Sequence, residues 1–120
     1  MIARKFAGLG SVAVLAIGAA ALTWPRQSTF TYGIPNDDAD TLAYVRAIAV
    51  RDLVMGAFVF WAALDDDRKA MEAGLAACII APLADLVLAK QRRGNIPQLF
   101  IHGAGVLGVF ATWALLRAGL

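Results

Sequence analysis

Residues 47–64 read AIAVRDLVMGAFVFWAAL, and this stretch decides the fold. It carries Arg51 and Asp52 and is otherwise uncharged and mostly apolar. Eighteen residues of helix rise about 27 Å at 1.5 Å per residue, close to the roughly 30 Å hydrocarbon thickness of a bilayer. The run lacks the alternation of a membrane-barrel strand. An open strand at that depth would leave its backbone groups unpaired. A membrane-crossing helix is the expectation. It extends back to about Ala39, because Asp37, Asp38 and Asp40 suit a helix start as caps and as negative charge against the dipole. Tyr44 and Arg46 then fall at the interface.

Three further apolar runs flank this one: Phe6–Trp24, Ala70–Ala89 and Pro97–Leu116, of 19, 20 and 20 residues. Each has the length of about 17–25 residues that a span needs. The expected architecture is all-α, a four-helix transmembrane bundle of up-down topology, with spans at about 6–24, 39–64, 70–89 and 97–116 in one domain of residues 1–120. Arg4 and Lys5 before an apolar stretch also suit a signal peptide, and Ala19-x-Ala21 a cleavage site. Yet the run exceeds an h-region of about 7–15 residues and ends in Trp24-Pro25-Arg26. A retained helix is expected. The 25–38 connection is long and broken by Pro25, Gly33 and Pro35, whereas Asp65–Lys69 is a tight turn. The basic turn Lys90–Ile96 contains Gly94-Asn95 and leads to Pro97 at the first helical position.

Composition agrees. Of 120 residues, 60% are hydrophobic and 17% charged, against roughly 45–50% and about 25% in ordinary globular proteins. Mean hydropathy is +0.66. A small globule cannot bury that excess. Soluble enzyme, nucleic-acid binder, disordered segment and disulfide scaffold are therefore set aside, and the lipid bilayer becomes the expected partner (a cell membrane, for a bacterial source). A homo-oligomer stays open. The net charge of +2 comes from basic residues scattered between apolar runs, which read as loop charge. It does not fix orientation. Arg4, Lys5, Arg68, Lys69 and Arg117 share one side with both chain ends, against Arg26, Lys90, Arg92, Arg93 and an interfacial Arg46 on the other. The lone Cys78 reads as a small buried residue. Asp65, Asp66 and Asp67 lack the spaced ligands and glycine of a calcium loop, so a solvated turn is expected.

Four polar residues stand inside the runs: Arg51, Asp52, Asp85 and His102. A charge near the bilayer centre costs on the order of 3 kcal/mol on insertion scales, so such residues face the bundle interior and pair. Arg51 lies five residues past Arg46, Asp85 five before Lys90 and His102 five past Pro97. At 1.5 Å per residue, each is roughly 7–8 Å below the long-loop side. Three antiparallel helices thus bring the cluster to one level. Arg51 and Asp52 are about 100° apart on their helix. The expected network pairs Arg51 with Asp85 and Asp52 with His102, or the reverse.

Small residues mark the packing faces. Gly74, Cys78, Pro82 and Asp85 form one stripe, with Leu75, Ile79, Leu83, Leu86 and Val87 turned to lipid. His102, Gly105, Gly108 and Thr112 lie together, and Gly56 sits one turn from Asp52. Gly56, Gly74, Gly105 and Gly108 are expected to let helix backbones approach closely. The first helix, with Gly8, Ser11 and Gly18 and no charge, closes the bundle.

Three readings of the cluster stand side by side. Buried ionic pairs can fix helix register. Convergent polar groups in an apolar cavity can bind a small amphipathic molecule, lipid-like or quinone-like. Asp52, Asp85 or His102 can move a proton in a membrane-embedded isomerase- or cyclase-type enzyme. Two Asp and one His suit a metal by ligand type, but Arg51 beside them disfavours a cation, so neither metal nor cofactor is expected.

Pro25, Tyr32-Gly33-Ile34-Pro35, Arg46-x4-Arg51-Asp52-x3-Gly56, Asp85 and His102 together resemble a family of small four-helix integral membrane proteins catalogued as a domain of unknown function. That family is distantly similar to DoxX-like membrane proteins. The resemblance runs from about Phe6 to Arg117, and its most specific part is Arg51-Asp52-x3-Gly56. It implies a four-helix membrane fold and brings no activity, cofactor or catalytic residue. The acidic stretch at 36–40 and the Asp65–Asp67 turn match nothing in it.

Overall fold

A computed structural model describes residues 2–32, 38–91 and 96–120. Its elements in order are α1 (Ile2–Thr23), α2 (Pro25–Ser28), α3 (Ala39–Leu64), α4 (Arg68–Gln91) and α5 (Ile96–Arg117). The described residues contain no strand. The fold is an all-α four-helix bundle, and its four long helices are long and apolar enough to cross a membrane. Gly33, Ile34, Pro35 and Asp37 in the long loop, and residues 92–95 in the basic turn, lie outside the described residues.

Local chemistry sets the helix bounds. Asp38 caps α3 by accepting from Thr41 N at 2.8 Å, and Asp40 follows in the first turn. One element is additional to the four expected. Trp24 leaves helical geometry at φ −126° and ψ 64°, because the residue before a proline is pushed out of the α region. Pro25 then starts the single turn of α2, its fixed φ suiting a first helical position.

The three aspartates of the α3–α4 turn divide their tasks. Asp65 ends α3, Asp66 takes a positive φ of 56°, and Asp67 caps α4 through Ala70 N at 3.0 Å. The left-handed region is one that a short polar side chain tolerates. Both ends of the chain meet this turn. Ala3 N donates to Leu120 O at 3.1 Å. Arg4 Nε donates to Ala63 O at 2.8 Å, with its Nη1 3.4 Å from Asp66. Glu72 clamps Arg68 at 3.0 Å and Arg117 at 3.2 Å.

The long helices form a ring in the order α1–α3–α4–α5, and glycines close its seams. A Cβ on Gly18 would meet Ala49 O at 2.9 Å, and one on Gly56 would meet Leu15 Cγ at 2.9 Å, so α1 and α3 pack backbone to backbone. Gly74 admits the Phe58 ring between α3 and α4, where a Cβ would lie 2.8 Å from Cε1. Gly105 faces Pro82 Cβ at an ordinary 3.6 Å. Gly108 departs from expectation: nothing lies within 4 Å of its Cβ position, so no helix backbone approaches it. Leu75 also departs. It is 5% exposed, packed with Ala3, Ala7, Met71 and Leu116, because α1 and α5 converge on its side of α4. Leu83 and Val87 do face outward.

The core is made of small residues. Among the described residues, six of the eleven buried hydrophobic residues are alanine, while Phe6, Leu9, Trp61, Phe100 and Phe110 are exposed. In water that arrangement would waste the largest apolar groups. Against a lipid bilayer it wastes none, because helix association there rests on close packing of small residues.

Candidate functional site

Arg51, Asp52 and Asp85 come into direct contact. Arg51 lies on α3, and its guanidinium reaches Asp85 of α4 in a two-pronged pair, Nη1 to Oδ1 at 3.2 Å and Nη2 to Oδ2 at 2.9 Å. The same group folds back on its sequence neighbour. Nε and Nη2 donate to Asp52 Oδ1 at 3.0 and 2.9 Å. The 100° between the two positions is bridged because the long Arg side chain and its planar fork can serve two carboxylates at once. Asp52 and Asp85 side chains are only 13% and 15% exposed, so each carboxylate depends on these donors.

Tyr32 completes the set, and it is the residue that sequence reasoning missed as a site residue. Its hydroxyl donates to Asp52 Oδ2 at 2.9 Å. Burial, then the neighbouring Asp52 carboxylate, push the Tyr32 phenol well above its usual range, which keeps it a donor. The available signal was positional: a tyrosine in the long loop, on the side from which all the polar residues are one or two turns deep. Residues 31 and 32 line the same space as the cluster.

The expected Asp52–His102 pair is not formed. Asp52 accepts instead from Arg51 on Oδ1 and from Tyr32 on Oδ2. His102 is 7% exposed, and its Nε2 is buried without any hydrogen-bond partner. An unpaired buried polar atom costs about 1–3 kcal/mol. The other buried hydroxyls satisfy themselves on their own helices. Ser11 Oγ donates to Gly8 O at 2.7 Å and Thr112 Oγ1 to Gly108 O at 2.8 Å.

All five groups border one cavity of about 620 Å³ inside the ring, walled by α1, α3, α4, α5 and residues 31–32. The volume falls in the range of roughly 300–1,000 Å³ typical of ligand pockets. The Arg51, Asp52, Asp85, Tyr32 and His102 side chains stand toward the long-loop end, and apart from the hydroxyls of Ser11 and Thr112 the rest of the wall is mostly apolar, with Gly108, Gly105 and Cys78 among the small residues that leave the space open. Among the described residues, no three His, Cys, Asp or Glu side chains are placed to hold a metal ion.

Fold and site together define a bundle of four membrane-length helices around an internal cavity with one polar end. Residues 11–117 match the family described as a domain of unknown function (DUF4267), and the chain belongs to that family. No curated protein and no solved structure matches the chain, and no DoxX-like protein is among the matches.

Proposed function

We propose that this chain is an integral membrane protein that binds a small amphipathic molecule, lipid-like or quinone-like, inside its bundle. The observation that carries the reading is a cavity of ligand size with His102 on its wall, the Nε2 of that imidazole being buried without a hydrogen-bond partner. A bound head group would satisfy that nitrogen, and an apolar tail would fill the rest of the space. A purely structural cluster accounts for Arg51, Asp52 and Asp85, which tie α3 to α4. It does not account for the cavity or for the stranded imidazole. The acid–base alternative has only one group free to act, because Arg51 holds both carboxylates.

Mass spectrometry of molecules extracted from purified wild type and His102→Gln tests the reading, with the two compared at matched thermal stability. A species retained by the wild type and depleted in the variant is expected. Identical profiles with no bound species in either protein would remove it.

A further inference from the structure

Three of the four seams of the helix ring have a glycine at a point of contact. Gly18 and Gly56 bring α1 onto α3, Gly74 admits Phe58 between α3 and α4, and Gly105 meets Pro82 between α4 and α5. The α1–α5 seam is different. It is shut at the end where the chain ends meet, by the Ala3–Leu120 hydrogen bond and by Ala3 and Ala7 against Leu116. Among the described residues, those that line the cavity and are exposed all lie on these two helices. The second core cluster, Ala21, Val45 and Ala49, joins α1 to α3.

Residues that line the cavity along this seam are also open to the outside. Phe6, Leu9 and Ile17 of α1 are 54%, 69% and 46% exposed, and Ile101 of α5 is 42% exposed. Gly10 on α1 and Gly108 on α5 border the same space with nothing within 4 Å of either Cβ position. Leu9, Gly10 and Ile17 lie well inside apolar α1 and Gly108 well inside apolar α5, at the depth of the hydrocarbon. An opening there exchanges with solutes of the bilayer, not of water.

The polar end restricts what can enter. Every nitrogen of the Arg51 guanidinium already donates to a carboxylate, and one guanidinium against two carboxylates leaves a formal charge of −1. An anionic head group would find no free cation. Among the described residues, the buried side-chain polar atom without a hydrogen-bond partner is His102 Nε2, which takes one hydrogen bond. We infer that the gap between α1 and α5 is a lateral portal through which a single-chain amphiphile with a small uncharged hydroxyl or carbonyl head enters from the bilayer and docks on His102. This inference rests on the reading of the cavity as a ligand site and adds the route and the head-group class.

The test uses the full chain in phosphatidylcholine nanodiscs with three photoreactive probes of equal chain length: a long-chain alcohol, the fatty acid and the amine. Cross-linked residues are mapped by mass spectrometry. The alcohol should label the cavity wall of α1 and α5 at least about tenfold more than the acid, since burying an uncompensated carboxylate costs more than the 1.4 kcal/mol that tenfold represents. Gly10→Leu with Gly108→Leu adds bulk at two positions whose Cβ would meet nothing within 4 Å, and it should abolish labelling while the melting temperature is held. Equal labelling by the acid, or stronger labelling by the amine, would overturn the head-group class. Undiminished labelling in the filled variant would overturn the lateral route while leaving the binding site intact. A dimer mass in the nanodisc, with the seam unlabelled but the polar end labelled, would give the seam to a second copy and overturn the portal. No labelling of the cavity by any probe would remove the underlying binding reading as well.

Discussion

At the scale of single residues, Arg51 is the hub on which the polar cluster depends. It supplies all the donors to Asp85 and two of the three to Asp52 among the hydrogen bonds at the site. Arg51→Ala should therefore destabilise the protein in detergent by about 3–5 kcal/mol, the cost of stranding buried carboxylates. Asp85→Ala in the same chain should recover part of that loss, and a strictly additive double mutant would refute the direct pairing. Recovery should remain partial, because Asp52 still lacks its main donor. Tyr32→Phe is milder. It removes one donor to a carboxylate that keeps Arg51, so a loss of about 1–2 kcal/mol is expected. Thermal melts of these three variants and of Asp85→Ala alone, in one detergent, would check the ranking and the additivity. Because the raised Tyr32 pKa keeps the phenol protonated in the fold, its bond to Asp52 should hold at neutral and mildly alkaline pH and be lost only as pH rises past that raised value.

At the scale of elements, the glycines separate two roles that look alike in the chain. Gly56 and Gly108 are both helical and both near the polar cluster, yet one sits against a neighbour's backbone and the other borders open space. Gly56→Ala should cost about 1–3 kcal/mol through overpacking against Leu15 and Ser11. Gly108→Ala should be neutral or stabilising by up to about 1 kcal/mol, the helix-propensity gain. Melting curves in detergent would distinguish them, and equal losses would mean that the α1–α5 seam is closed. Spacing and hydropathy made the α3 bounds readable, because Asp38 is a cap before an apolar run whose end is marked by Asp65. They could not rank the glycines. Which glycine meets a backbone depends on how far each seam closes, and that is set by the whole ring. For the same reason Leu75, apolar on an apolar helix, carried no sign that it faces inward.

At the scale of the whole molecule, what was legible is the depth at which groups lie, and what was not is their pairing. Counting residues from the loop side brings Arg51, Asp52, Asp85 and His102 to a common level, and the four do border one cavity. The choice of partners turned on side-chain reach and on Tyr32, which the counting did not bring to the site. The same depth argument carries a topological consequence. The two chain ends and the α3–α4 turn are tied together by the Ala3–Leu120 bond and by Arg4 on Ala63 and Asp66. Residues 25–32 sit at the opposite end of α1 and α3, with Tyr32 against the second core cluster. If the four long helices span the bilayer, the two ends must face one compartment and the loop the other. Reporter fusions at Ile2 and at Leu120 should therefore give the same signal, and an insertion within 29–36 the opposite one. The basic residues divide too evenly to say which compartment is which, so the comparison between fusions, not the sign of any one of them, is the measurement that decides. Opposite signals from the two ends would require an odd number of crossings, and the bundle would then have to be refolded with one long helix outside the membrane.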